Sequence, residues 1–292
     1  MSSDRPVPTP RERRGIWTEI WILLALSLGR SGVYAIVNLI GRLTEDAALT
    51  EQIATLNPTR SPRIYLDLTY QILAIGFGLA PVALALFFLA TRQKTPSNNW
   101  RKAIGLDRFR LSDLGWGIAL CFGIGIPGLL FYMFGRAVGI TVQVQASALN
   151  TYWWTVPILM LSAFQNGALE EIIVVAYLYE RTKDAGWNLR SPVVDDPVLE
   201  PVETTDSPHP RFDWRFIAFS AILRGSYHLY QGIGPFFGNA IMGIVFALWY
   251  QSRWGKHRVL PLIIAHTLID AIVFVGYQLL PAAWLIRLGF AA

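Results

Sequence analysis

The sequence is short of cysteine and of charge, and each shortage narrows what the chain can be. A single cysteine, Cys121, stands among 292 residues, so neither a disulfide framework nor a CxxC metal or redox pair is available. Only 15% of the residues are charged, against about 25% in soluble globular domains. Internal repeats of the kind that mark inverted-repeat transporters are lacking. The glycines of Gly-Ile-Gly-Pro at 232–235 are too few and wrongly spaced for a phosphate loop and read as a turn.

What the chain has instead is apolar residues, 53% of the total, gathered into long runs. A helix crossing a bilayer needs roughly 17–25 predominantly apolar residues. Runs at 16–40, 65–91, 113–134, 151–178, 214–231, 234–252 and 259–281 are candidates. The fold class is therefore all-α, a polytopic transmembrane helical bundle of about seven spans. The first run is too long for a cleavable signal segment and carries Arg30 inside it.

A net charge of +5 does not point to nucleic acid, because the basic residues alternate by loop. Eighteen of the 25 lie before the first run or after the second, fourth and sixth; Arg42, Arg60, Arg63, Arg136 and Arg287 occupy the opposite side. The positive-inside rule then puts the N-terminus in the cytoplasm and the C-terminus outside. The partner this implies is the lipid bilayer.

Residues 1–15 are polar and proline-bearing and are expected to be disordered. Residues 16–150 form N-terminal transmembrane helices, 151–281 a second group of helices, and 282–292 a C-terminal tail. Within the second group, 189–212 mixes five prolines with acidic residues and is expected to be a mobile cytoplasmic loop.

An ionisable group inside a spanning helix costs at least about 2.5–3.5 kcal/mol, so such groups are functional candidates by default. The second half of the chain collects them: Glu170 and Glu171 in the fourth run, Arg224 and His228 in the fifth, His266 and Asp270 in the seventh. His266 and Asp270 are four apart and share a helix face, as do Arg224 and His228. Glu170 and Glu171 point about 100° apart, so only one leads into a given centre. Three helices thus offer carboxylates and two imidazoles, the donors of a zinc-like site or of a centre that activates water by general base catalysis. His209 and His257 lie in loops and are read as solvated. Most tryptophans read as interface anchors; Tyr227, Tyr230 and Gln231 border the candidate centre and are read either as lining it or, for the tyrosines, as anchors at the end of a run.

Glu-Glu, then a histidine in Tyr-His-Leu-Tyr-Gln-Gly, then His-Thr-Leu-Ile-Asp resembles the CPBP intramembrane proteases: the type II CAAX prenyl endopeptidases and their bacterial Abi relatives. The resemblance covers roughly 150–280. It implies an intramembrane endopeptidase of a bacterial plasma membrane, acting on membrane-associated or prenylated substrates. Carried over by position, Glu170 matches the carboxylate that activates water, His228 and His266 the two site histidines, and Asp270 the last motif position, often Asn. Those four would hold a divalent metal such as zinc if the enzyme is metal-dependent.

Two positions depart from the family pattern. Glu171 usually has an Arg four residues on, where this chain has Val175, and Arg224 stands where a Phe is usual. Arg224 is expected to supply the missing charge as an ion-pair partner of Glu171, with Arg30 a second candidate for Glu171 or Asp270. An ionised Asp270 only accepts hydrogen bonds, which suits it to holding a metal or orienting His266. Two rival readings use the same polar core: a non-catalytic relative serving bacteriocin self-immunity or scaffolding, and a small proton-coupled transporter.

Overall fold

The structure, a computed structural model, describes residues 8–91, 99–187 and 212–291. Its helices are α1 Pro10–Ala25, α2 Leu28–Leu43, α3 Ile64–Gly78, α4 Ala80–Thr91, α5 Trp100–Ala103, α6 Leu111–Ala137, α7 Thr155–Glu170, α8 Leu178–Asp184, α9 Trp214–Ser226, α10 Ile233–Gln251, α11 Leu260–Leu279 and α12 Ala282–Arg287. A π-helical stretch, Glu171–Tyr177, joins α7 to α8 without interruption. Two three-residue strands, β1 Ile53–Thr55 and β2 Gln143–Gln145, pair in parallel with Ala54 opposite Val144. The protein is an all-α polytopic helical bundle.

Among the described residues, five helical stretches are long and apolar enough to cross a membrane: α3–α4, α6, α7–α8, α10 and α11. A sixth arises if α1 and α2, bent by 53°, count as one. The fifth expected run, 214–231, supplies only the 13 residues of α9. At about 1.5 Å per residue that is roughly 20 Å, short of a hydrocarbon core about 30 Å thick. Hydropathy ran through the turn that follows, because Leu229 and two tyrosines look apolar in a sliding window.

The expected disorder at 1–15 is corrected in part. Thr9 accepts from the Glu12 amide while Glu12 accepts from Thr9, a capping box that starts α1 at Pro10; residues 1–7 lie outside the described residues. Of the expected mobile loop 189–212, all but Phe212 lies outside them too.

The α7–α8 rod is the centre of the bundle. Its apolar window is 61% buried, against 11–39% in the other long helices. It packs most closely on α11, while α9 and α10 form a hairpin against the π-helical stretch. Gly167 permits the α7–α11 approach: a Cβ there would stand 2.8 Å from Thr267 Oγ1 and 3.1 Å from the Ile263 carbonyl.

At the end of the bundle opposite the basic loops, the segments 44–63, 138–154 and 280–291 form a hydrogen-bonded cap. Asn57 Nδ2 donates to the Ala146 carbonyl at 2.8 Å, and the Ala291 amide to that of Val144 at 3.1 Å. The cap also grips the turn after α9. The Val142 amide donates to the Gln231 carbonyl at 3.0 Å, and Thr141 bridges Gly232, whose φ of +109° favours glycine.

Two residue types were misjudged from sequence. Trp154 and Trp249 are core residues, 1% and 8% exposed, rather than interface anchors. His257 is half-buried rather than free in solvent: its ring packs against Tyr179 and Tyr250 with centroids 5.1 and 5.4 Å away.

Candidate active site

Four consecutive β-branched residues, Ile172 to Val175, follow the two glutamates, and each restricts side-chain rotamers in a regular α-helix. The chain relaxes there into the wider π turn, a feature frequent at functional sites. One carbonyl so displaced, that of Val174, accepts from Ser220 Oγ of α9 at 3.1 Å.

The π-helix begins at Glu171, whose side chain is fully buried. Arg224, also fully buried, reaches across from α9 and donates from Nη2 to Glu171 Oε1 at 2.8 Å. Its Nη1 lies 3.3 Å from Glu170 Oε2. The cation thus sits between the two carboxylates, and Val175 is an apolar core residue. Arg30, the other candidate, is corrected: it is exposed on α2 and pairs with neither Glu171 nor Asp270.

His266 Nδ1 stands 2.7 Å from the same Glu171 oxygen. A carboxylate only accepts, so Nδ1 carries a proton and donates it. His228 shows the same logic with a different acceptor, its Nδ1 lying 3.0 Å from the Arg224 carbonyl. His228 was expected on the helix beside Arg224. Instead α9 ends at Ser226 and His228 leads the turn held by the cap. In both rings Nδ1 is committed and Nε2 is left for other work.

Glu170 Oε2 accepts from the Tyr227 hydroxyl at 2.7 Å. Tyr227 is 6% exposed and touches the site directly, the lining role that the sequence left open beside that of an interface anchor. Asp270 stands with Oδ1 3.8 Å from His266 Nε2 and accepts at Oδ2 from Asn166 Nδ2 at 3.0 Å.

A cavity of about 470 Å³ touches Glu170, His228, His266 and Asp270 together, and Glu171 does not line it. It runs from these side chains past Tyr230 and Gln231 to Asn57 and Arg60 of the cap, and no residue of the basic end contributes to its wall. Asn57 and Arg60 were not foreseen; they belong to no motif and reach the cavity only through the cap. Donor atoms of Glu170, Glu171 and His266 lie within 4.8 Å of one another. Glu171 Oε2 is buried without a hydrogen-bond partner, so the group retains acceptor capacity and its donor types suit a divalent metal.

Comparison with known proteins agrees with this arrangement. A family model described as type II CAAX prenyl endopeptidase Rce1-like matches residues 152–272, which span α7 to most of α11 and contain every residue named at the centre. No curated protein and no solved structure matches the chain. Residues 152–272 are therefore similar to the Rce1-like type II CAAX prenyl endopeptidases.

Proposed function

We propose that the protein is an intramembrane endopeptidase that hydrolyses peptide bonds with a water activated by Glu170. The observation that carries this reading is the division of labour between the adjacent glutamates. Glu171 is locked between Arg224 and His266 and has no access to the cavity. Glu170 lines the cavity, with one oxygen fixed by Tyr227 and Arg224 and the other left to accept from water.

In the proposed reaction Glu170 takes the proton of the water as it attacks the scissile carbonyl, and later delivers it to the leaving amine. His228 and His266 present Nε2 towards the reacting groups, because their Nδ1 atoms are held by the Arg224 carbonyl and by Glu171. Asp270, steadied by Asn166, stands 3.8 Å from His266 Nε2, on the side of the reacting groups. Glu170, His228, His266 and Asp270 would hold a divalent metal such as zinc, which would supply Lewis-acid polarisation of the carbonyl. Arg224 places its positive charge between the two carboxylates, so neither lacks a counter-charge inside the bundle.

The basic end is proposed to face the cytoplasm, with the N-terminus there. The cavity then extends towards the extracytoplasmic face, and the substrate is a membrane-associated peptide entering from that side. The test is cleavage by purified protein in lipid or detergent, using peptide and prenyl-peptide substrates. Wild type is compared with Glu170→Ala and His228→Ala, and bound metal is measured in the same samples. Equal cleavage by all three proteins would sink the proposal.

A further inference from the structure

A second cavity, about 560 Å³, lies at the basic end, where the first turn of α6 meets the last turn of α10 and the segment leading into α11. Arg110, Arg253, Lys256 and Arg258 line it, and Asp113 is the one acidic residue in its wall among the described residues. That carboxylate is already saturated. It accepts from Arg258 Nε at 2.8 Å and Nη2 at 2.6 Å, and from the Arg110 amide at 2.8 Å. Arg110, Arg253 and Lys256 have no carboxylate partner among the described residues.

Unused N–H donors are waiting as well. Trp249 lines the cavity, is 8% exposed, and its indole N–H has no acceptor; Arg110 Nε is likewise buried and unpartnered. A cavity walled by cations and unused N–H donors, with its only carboxylate spent, is complementary to a phosphate.

The surroundings indicate what carries that phosphate. On the cavity's own side of α6, Trp116, Ala119, Leu120 and Gly123 leave an apolar strip along the helix, Trp116 being 37% exposed. Trp254, 58% exposed, flanks it with Arg253 stacked on its ring at 4.8 Å. Tryptophans and basic side chains at helix ends mark headgroup depth, and an apolar stripe beneath them is a track for an acyl chain.

We infer that this cavity binds the phosphate of an anionic phospholipid headgroup, whose acyl chains lie along α6. The inference does not depend on the hydrolytic reading. The test uses purified full-length protein in neutral detergent and native mass spectrometry with phosphatidylglycerol, phosphatidylcholine, soluble glycerol phosphate and inorganic phosphate. Wild type is expected to prefer phosphatidylglycerol over phosphatidylcholine by about fivefold or more. The variant Arg253→Gln/Lys256→Gln, altered only at exposed side chains, should lose about tenfold in that affinity. Arg101→Gln/Lys102→Gln, at the same end but outside the cavity, should lose nothing. Equal binding of the two lipids, or equal losses in the two variants, overturns the site. Soluble phosphates binding as tightly as the lipid would overturn the lipid assignment.

Discussion

Arg224 Nη2 meets Glu171 Oε1 at 2.8 Å with both side chains fully buried, and the two residues come from different helices. The same carboxylate oxygen faces His266 Nδ1 at 2.7 Å. One guanidinium therefore does two things: it neutralises a fully buried carboxylate, and it fixes the acceptor that orients a site histidine.

Removing Arg224 alone should be severe. Arg224→Leu leaves Glu171 charged and unpaired, a loss of about 3–5 kcal/mol against a total stability of about 5–15. The expected result is a much lower melting temperature and poor recovery of folded protein. Arg224→Leu/Glu171→Leu removes both charges and should regain folding, since an apolar pair of similar volume is often tolerated. It should remain inactive because His266 Nδ1 has lost its acceptor. A single variant as stable as wild type would disprove the compensation.

Tyr227→Phe keeps the ring and deletes only the hydroxyl that donates to Glu170. A hydrogen bond to a charged group contributes about 1.5–3 kcal/mol, so kcat/KM should fall about 10- to 100-fold. Melting temperature should change little. Unchanged kinetics would show that Tyr227 only fills space.

The fold class and the central residues were legible for a physical reason: charges inside apolar runs are costly, so a chain keeps few of them without cause. Glu170, Glu171, Arg224, His228, His266 and Asp270 stood out on that ground alone. Three things were not legible. The length of α9 was hidden because Leu229 and Tyr230 continue the hydropathy of the helix past its end at Ser226. The π-helix leaves no periodic signature beyond the β-branched run from Ile172 to Val175. Burial of His257 depends on Tyr179 and Tyr250, which converge on it only in the folded bundle. The choice of Arg224 over Arg30 was open in sequence; α2 turns Arg30 outward.

His257 gives a pH dependence unrelated to the candidate active site. Burial first, and then the neighbouring Lys183 ammonium, hold its imidazole below the ordinary range despite the opposing pull of Glu180. The unfolded chain takes up a proton near pH 6.5 while the folded one still resists it. Stability from this residue is therefore complete above about pH 6.5 and declines as pH falls towards the lower folded value. His257→Asn, chosen because Asn tolerates the φ of +56°, should flatten the fall of melting temperature below about pH 6.5. An identical slope in the variant would refute the assignment.

Which end of the bundle faces the cytoplasm decides what the cavity can receive, and the single cysteine makes this measurable. Cys121 is buried at 3% exposure, and Cys121→Ala gives a background free of thiols. Arg60 is exposed at the capped end, where it lines the cavity of the candidate active site; Arg253 is exposed at the basic end. On that background, a membrane-impermeant maleimide should label Arg60→Cys in intact cells. Arg253→Cys should label only after the membrane is opened. This pattern would direct the cavity to the extracytoplasmic face, where prenylated cytosolic proteins do not present their termini, and would favour translocated or secreted peptides as substrates. The reverse pattern would turn the cavity mouth to the cytoplasm, overturn the orientation drawn from the basic loops, and return prenylated proteins to the front of the candidates.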